Sequence, residues 1–176
     1  MKKYELTTET LQFAGRTLHR IKAVKDFDSI KAGEFGGWIE NEKNLSQDDN
    51  AWIYGDAMVF DNAKIFGNAK VSGNAEVSGN ANVSDYAKVY GNAAIKGDAK
   101  VHDAVDYIVF KNFWSNGRYF TWTSSNNKWS VGCFYGTGEE LIKKAYADSE
   151  KSGREYERVV RYVESILADE KKEKSN

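Results

Sequence analysis

Few residues in this chain have the types and spacing that chemistry requires. His102 is one of two histidines, with His19, and Asp103 follows it. In an outward-facing position its imidazole can act as a general base. Two histidines cannot complete a three-histidine zinc site without symmetry copies, so no metal and no cofactor are expected. A second set is aromatic: Trp114, Arg118, Trp122 and Trp129 fall within sixteen residues, with Tyr119 beside the arginine. Flat rings and a guanidinium can stack a base and pair a phosphate, which makes these four the candidate ligand-binding residues. Aromatics in a small sheet also serve as its core. Tyr119 differs in strand parity from Arg118 and Trp122, so at most a subset lines one face. The acidic pair Glu139-Glu140 sits at an expected helix start, where carboxylates complement the helix dipole.

These residues are positioned by, or follow, a repeat. Ala51 to Ala104 reads AWIYGD AMVFDN AKIFGN AKVSGN AEVSGN ANVSDY AKVYGN AAIKGD AKVHDA, nine hexads without an insertion. Each opens on Ala, has Val or Ile third and Gly or Asp fifth; seven of nine end in Asn or Asp. A fixed short period of this kind predicts a β-solenoid. Alternation points Ala and the aliphatic residue inward, and Gly or Asp followed by Asn turns the corner. Three hexads close one triangular turn. The first turn then presents Trp52, Tyr54, Met58, Phe60, Lys64 and Phe66 outward, and five apolar groups on one turn call for a cover. The N-terminal cap and the C-terminal region are two candidates. A subunit interface through Trp52, Tyr54, Met58, Phe60 and Phe66 is the third.

The hexads resemble those of hexapeptide-repeat proteins with a left-handed parallel β-helix, whose familiar members are acyltransferases. The GNAKV and YGNA wording, with the GGWIENEKNLS entry, is similar to phage- and prophage-encoded relatives. Left-handedness is implied by this resemblance alone, since ordinary crossovers are right-handed. The resemblance also implies a histidine base, here His102, working in a cleft between subunits. One departure stands out: Tyr, Phe, Ser, Lys or His follows the aliphatic residue, where many acyltransferase repeats have Gly or an acid. No extended loop leaves the nine hexads to wall a pantetheine arm.

The flanks are expected to be caps. Residues 1–50 read as a β-rich cap with a hairpin at Ala14-Gly15 and two degenerate entry hexads, IENEKN and LSQDDN. In that frame Ile39 and Leu45 take the Ala position. Residues 51–104 form the helix, and residues 105–176 a C-terminal unit. DYIVFKNFW, RYFTWTSS and KWSVGCFYG predict a three-stranded antiparallel meander, turning at Ser115-Asn116-Gly117 and Asn126-Asn127. Capping boxes at Thr137/Glu140 and Ser152/Glu155 predict two helices.

Composition narrows the function classes. Residues 1–50 carry 8 basic and 9 acidic side chains, the repeat 5 and 6, the remainder 12 and 11. No segment has the basic excess typical of nucleic-acid binding. Cys133 is the single cysteine, and no leader or long apolar run is visible. These features predict a soluble chain in a reducing, cytoplasmic setting. Two function classes remain open, with a mainly β fold common to both. The favoured one is a non-enzymatic phage- or prophage-type binding protein for a small anionic ligand, such as a signalling nucleotide, or for a host protein. The alternative is acyl transfer from acyl-coenzyme A with His102 as base, and a purely structural role is the third reading. A homo-oligomer, dimer or trimer, is expected in each case.

Overall fold

The computed structural model describes residues 2–114 and 117–173. The chain divides into two compact units, Met1–Gly132 and Cys133–Asn176. The first begins with β1 (Tyr4–Phe13), β2 (Arg16–Ala23) and β3 (Phe35–Ile39). Strands β1 and β2 form the expected hairpin, with Ala14 (φ 49°) and Gly15 (φ 76°) supplying its turn. Strand β2 buries Leu18, then Ile21 and Ala23. That change of parity has a cause: register shifts between Leu6 and Thr10, and between Arg20 and Lys22, flip the face along the strand.

The hexads then supply one two-residue strand each: β4 (Trp52–Ile53), β5 (Met58–Val59), β6 (Lys64–Ile65), β7 (Lys70–Val71), β8 (Glu76–Val77), β9 (Asn82–Val83), β10 (Lys88–Val89), β11 (Ala94–Ile95) and β12 (Lys100–Val101). They stack in parallel as β3-β5-β8-β11, β4-β7-β10 and β6-β9-β12, three walls of a β-solenoid of about four turns. Register is fixed at 18 residues per turn, as in Ile53↔Val71 and Val71↔Val89. Every Ala and every Val or Ile of the column is buried. Each aliphatic side chain contributes about 1.5–3 kcal/mol.

The entry turn differs from the six-residue frame. Ile39 pairs with Val59, and Leu45 bridges Ile65, so both occupy the Val position rather than the Ala position. Gly37 stands where later hexads have Ala. A Cβ there would lie 2.5 Å from Ile53 Cγ2 and 2.6 Å from the Ala57 carbonyl, so the bend into the first turn leaves no room for one.

Side chains close the end of the stack and, at its start, the two walls that strand β2 does not continue by pairing with β3. Trp52 N–H donates to the Ala69 carbonyl of the later turn (3.0 Å), and parallel pairing alternates the direction along each strand. Both ends of the stack therefore have N–H groups and carbonyls to satisfy. At the start, Lys3 Nζ donates to the Asp49 and Ala51 carbonyls (2.9 and 2.8 Å), and Asn44 Nδ2 donates to those of Asp61 and Ala63 (3.2 and 2.9 Å). At the end, Thr121 Oγ1 accepts from Ala94 N–H (2.9 Å), Ser125 Oγ from Lys100 N–H (2.7 Å) and Asp106 from His102 N–H (2.7 Å). The Tyr107 hydroxyl completes the third wall, accepting from Tyr90 N–H and donating to the Lys88 carbonyl at 2.9 Å.

The apolar collar of the first turn is covered in part by the chain itself. Trp52 is 1% exposed, edge-on to Tyr4 and Phe27, and Phe60 lies under Phe13 and Arg16. Tyr54 and Met58 are half-buried, and Phe66 remains exposed. After the solenoid, β13 (Tyr107–Lys111), β14 (Tyr119–Thr123) and β15 (Lys128–Val131) form the antiparallel meander. The turn at Ser115-Asn116 lies outside the described residues. The third aromatic run is broken rather than continuous, because Gly132 takes φ 58° after β15.

The second unit holds β16 (Phe134–Gly136), α1 (Gly138–Asp148) and α2 (Glu150–Glu173). Thr137 and Glu140 form the expected capping box. The second helix starts earlier than Ser152/Glu155 implied: Ser149 Oγ accepts from Ser152 N–H (3.1 Å), leaving Ser152 inside the first turn. The helices cross closely at Gly153, where a Cβ would lie 2.2 Å from the Tyr146 ring. Among the described residues no helix is long and apolar enough to cross a membrane.

Two outcomes test this account. Thr121→Val keeps the side-chain shape but strands the Ala94 N–H, and should cost about 1–3 kcal/mol in urea unfolding. Burial lowers the Lys3 pKa from 10.5 to about 8. Between those values the unfolded chain binds more protons, so stability should rise as pH increases from 8 to 10. Below pH 8 the full cost of the buried charge is present. Above pH 10 buried Tyr4, whose pKa is raised, acts the opposite way. Lys3→Met should remove about 2 kcal/mol of the rise between pH 8 and 10, measured by chemical denaturation.

Candidate functional site

His102 is the fourth residue of the last hexad and stacks one turn above Ser84. Its Nδ1 lies 2.7 Å from Ser84 Oγ and 3.1 Å from Asp85 Oδ2, while Ser84 Oγ lies 3.1 Å from the same carboxylate. Ser84 is 1% exposed, and the imidazole is about half exposed. Because serine and aspartate share one ring nitrogen, this is not a nucleophile relay, which needs the two on opposite nitrogens. The carboxylate favours the Nδ1–H tautomer and leaves Nε2 as an outward-facing lone pair. The predicted neighbour, Asp103, is not the partner; its carboxylate caps the short 3-10 turn Ala104–Asp106.

Asp85 reaches His102 because the fifth position of its hexad is altered. Most corners place Gly there at positive φ; Asp85 holds φ 55° at a cost of about 1 kcal/mol. The comparable Asp61 (φ 58°) accepts the Gly79 N–H of the turn above (3.1 Å) and pairs with Arg16. Above Asp85, the Asp103 N–H donates to Asp106 instead (3.1 Å), leaving Asp85 to the histidine.

The aromatic set is dispersed. Trp122 and Trp129 face each other across β14 and β15 and are 3% and 2% exposed. Trp122 Nε1 also donates to Asn127 Oδ1 (2.9 Å). Their rings are therefore sheet core, with no ring face open to a ligand. Trp114 is half-buried, packed at 6.1 Å from the Phe120 ring. Arg118 is exposed and lines a groove of about 290 Å³ with Tyr119, Ser130, Lys96, Glu76 and Asn74. Lys96 Nζ donates to the Gly132 carbonyl (3.2 Å), which holds the ammonium at that rim. Sequence reasoning missed Lys96, Ser84 and Asp85. The 18-residue step from Ser84 to His102 was available as a signal; the meander's approach to Lys96 was not.

No family model matches the chain. One curated relative is similar to part of the repeat-bearing chain. It is named as an uncharacterized acetyltransferase, YdcK, of Escherichia coli (strain K12), and is 39% identical over 62 residues. The match covers 31% of this chain and 19% of that protein, so the chain spans about a fifth of the relative's length. With the solenoid, this fits an acyltransferase-like hexapeptide-repeat protein. Among the described residues no group of three or more His, Cys, Asp or Glu side chains is arranged to hold a metal ion.

The imidazole geometry is open to direct measurement. Nitrogen-15 spectra of neutral His102 should show the Nδ1–H tautomer dominant, and Asp85→Ala should shift the population toward Nε2–H.

Proposed function

We propose that the chain is a non-enzymatic binding protein of phage or prophage type that takes a small anionic ligand, such as a nucleotide, in the Arg118 groove. The supporting observation is that Arg118, Lys96 and Tyr119 line one groove, whose two cations outnumber its one carboxylate, Glu76. A guanidinium and an ammonium suit a phosphate, and a tyrosine ring suits a base. A dimer or trimer is part of the reading, with Phe66, 40% exposed, as the collar residue left for a subunit contact. Calorimetry with a nucleotide panel should show binding that Arg118→Ala and Lys96→Ala each weaken about tenfold. Absence of binding across the panel would sink the ligand reading and leave the host-protein version to a pull-down.

A second reading rests on a different observation. His102 is held by Nδ1 with Nε2 outward, and the partial relative carries the name acetyltransferase. Acyl transfer would use Nε2 to take the proton from an acceptor as it attacks the thioester, and to return that proton to the coenzyme A thiolate as the C–S bond breaks. It requires coenzyme A binding at millimolar ligand, and activity reduced by about 100-fold or more in His102→Ala. A chain that binds no coenzyme A contradicts this reading and leaves the first intact.

A further inference from the structure

The two hexads that break the Asn-or-Asp rule at the sixth position do so at one place. Tyr86 and Ala104 are 18 residues apart, so they stack on the same corner of adjacent turns. Below them the corner follows the rule: Asn50 Nδ2 donates to Asn68 Oδ1 (3.1 Å), the start of an amide ladder. A third Asn at position 86 would extend it. Instead the chain puts a tyrosine there, 77% exposed, on a corner where an amide would have a ready partner.

Beside Tyr86 runs an open groove of about 450 Å³, lined also by Asn50, Asn68, Lys70, Lys88 and Asp103. Its charges balance. Lys70 is held by Asp28 at 2.8 Å, and Lys88 and Asp103 add one charge of each sign to the lining. The groove thus combines one uncovered ring, two amides, and ammonium and carboxylate groups of equal number, with no net charge to select an ion. Donors and acceptors spread around a flat aromatic face match a ligand with many hydroxyls and an apolar C–H face. We infer that this corner is a carbohydrate-binding site, taking a neutral oligosaccharide along the stacked turns. Tyr86 is its stacking platform; Asn68, Lys88 and Asp103 supply the hydrogen bonds. The site is separate from the Arg118 groove, with which it shares no lining residue.

The repeat itself supplies a control. Tyr86→Asn restores the consensus residue at an exposed corner, so it should fold with an unchanged or higher thermal midpoint. The full chain would be applied to a glycan array of neutral, amino and acidic sugars, and hits measured by calorimetry with the free oligosaccharide. Neutral glycans should bind, Tyr86→Asn should lose at least tenfold in affinity, Tyr86→Phe should stay within about threefold, and Arg118→Ala should change nothing. The proposal is overturned if no neutral glycan binds, if binding is confined to acidic or phosphorylated sugars, or if folded Tyr86→Asn binds as well as the parent.

Discussion

Parallel stacking points both backbone groups of one strand residue at the later turn and both groups of the next residue at the earlier one. Trp52 and Tyr54 donate to the Ala69 and Val71 carbonyls of the later turn, and the parallel Ile53–Val71 pairing has Val71 donate back to Trp52. Each end of the stack therefore presents both N–H groups and carbonyls that need partners. The flanking segments meet those needs with matching side chains, an ammonium and an amide at the first turn, hydroxyls and a carboxylate at the last. Strand β2 already covers one wall at the start by pairing with β3, and a backbone strand added to any other wall end would have to displace these groups. The caps thus set the number of turns and close edges that would otherwise recruit another chain.

Inside those limits the interior is uniform and carries no functional information. Ala and Val or Ile repeat because the column has one fixed volume per turn. Variation is confined to outward positions and corners, where a side chain changes chemistry without disturbing the stack. Departures from the consensus there are informative for that reason. Asp85 at a corner that elsewhere favours glycine holds His102, and Tyr86 replaces an amide that had a partner waiting.

The solenoid was legible in the sequence because a six-residue period leaves one way to bury the Ala and Val columns. The hairpin at Ala14-Gly15 and the helix start at Thr137 were legible for local reasons, turn and cap chemistry. The entry turn was not, since Ile39 and Leu45 lie two residues out of the later frame and only pairing with Val59 and Ile65 reveals their position. The aromatic set shows the opposite failure. Trp122 and Trp129 are adjacent through strand register, which turns a cluster that reads as a stacking surface into a buried core pair. Lys3 was illegible altogether, because nothing local marks an N-terminal lysine as the donor for carbonyls at Asp49 and Ala51.

Hydrogen exchange of single amides tests the capped ladder most directly. If side chains close the last turn, the Ala94 and Lys100 N–H groups should exchange as slowly as those of Met58 and Lys64 in the interior, all through global unfolding. Fast exchange at Ala94 and Lys100 beside a protected interior would contradict the account, because the last turn would then be fraying rather than capped.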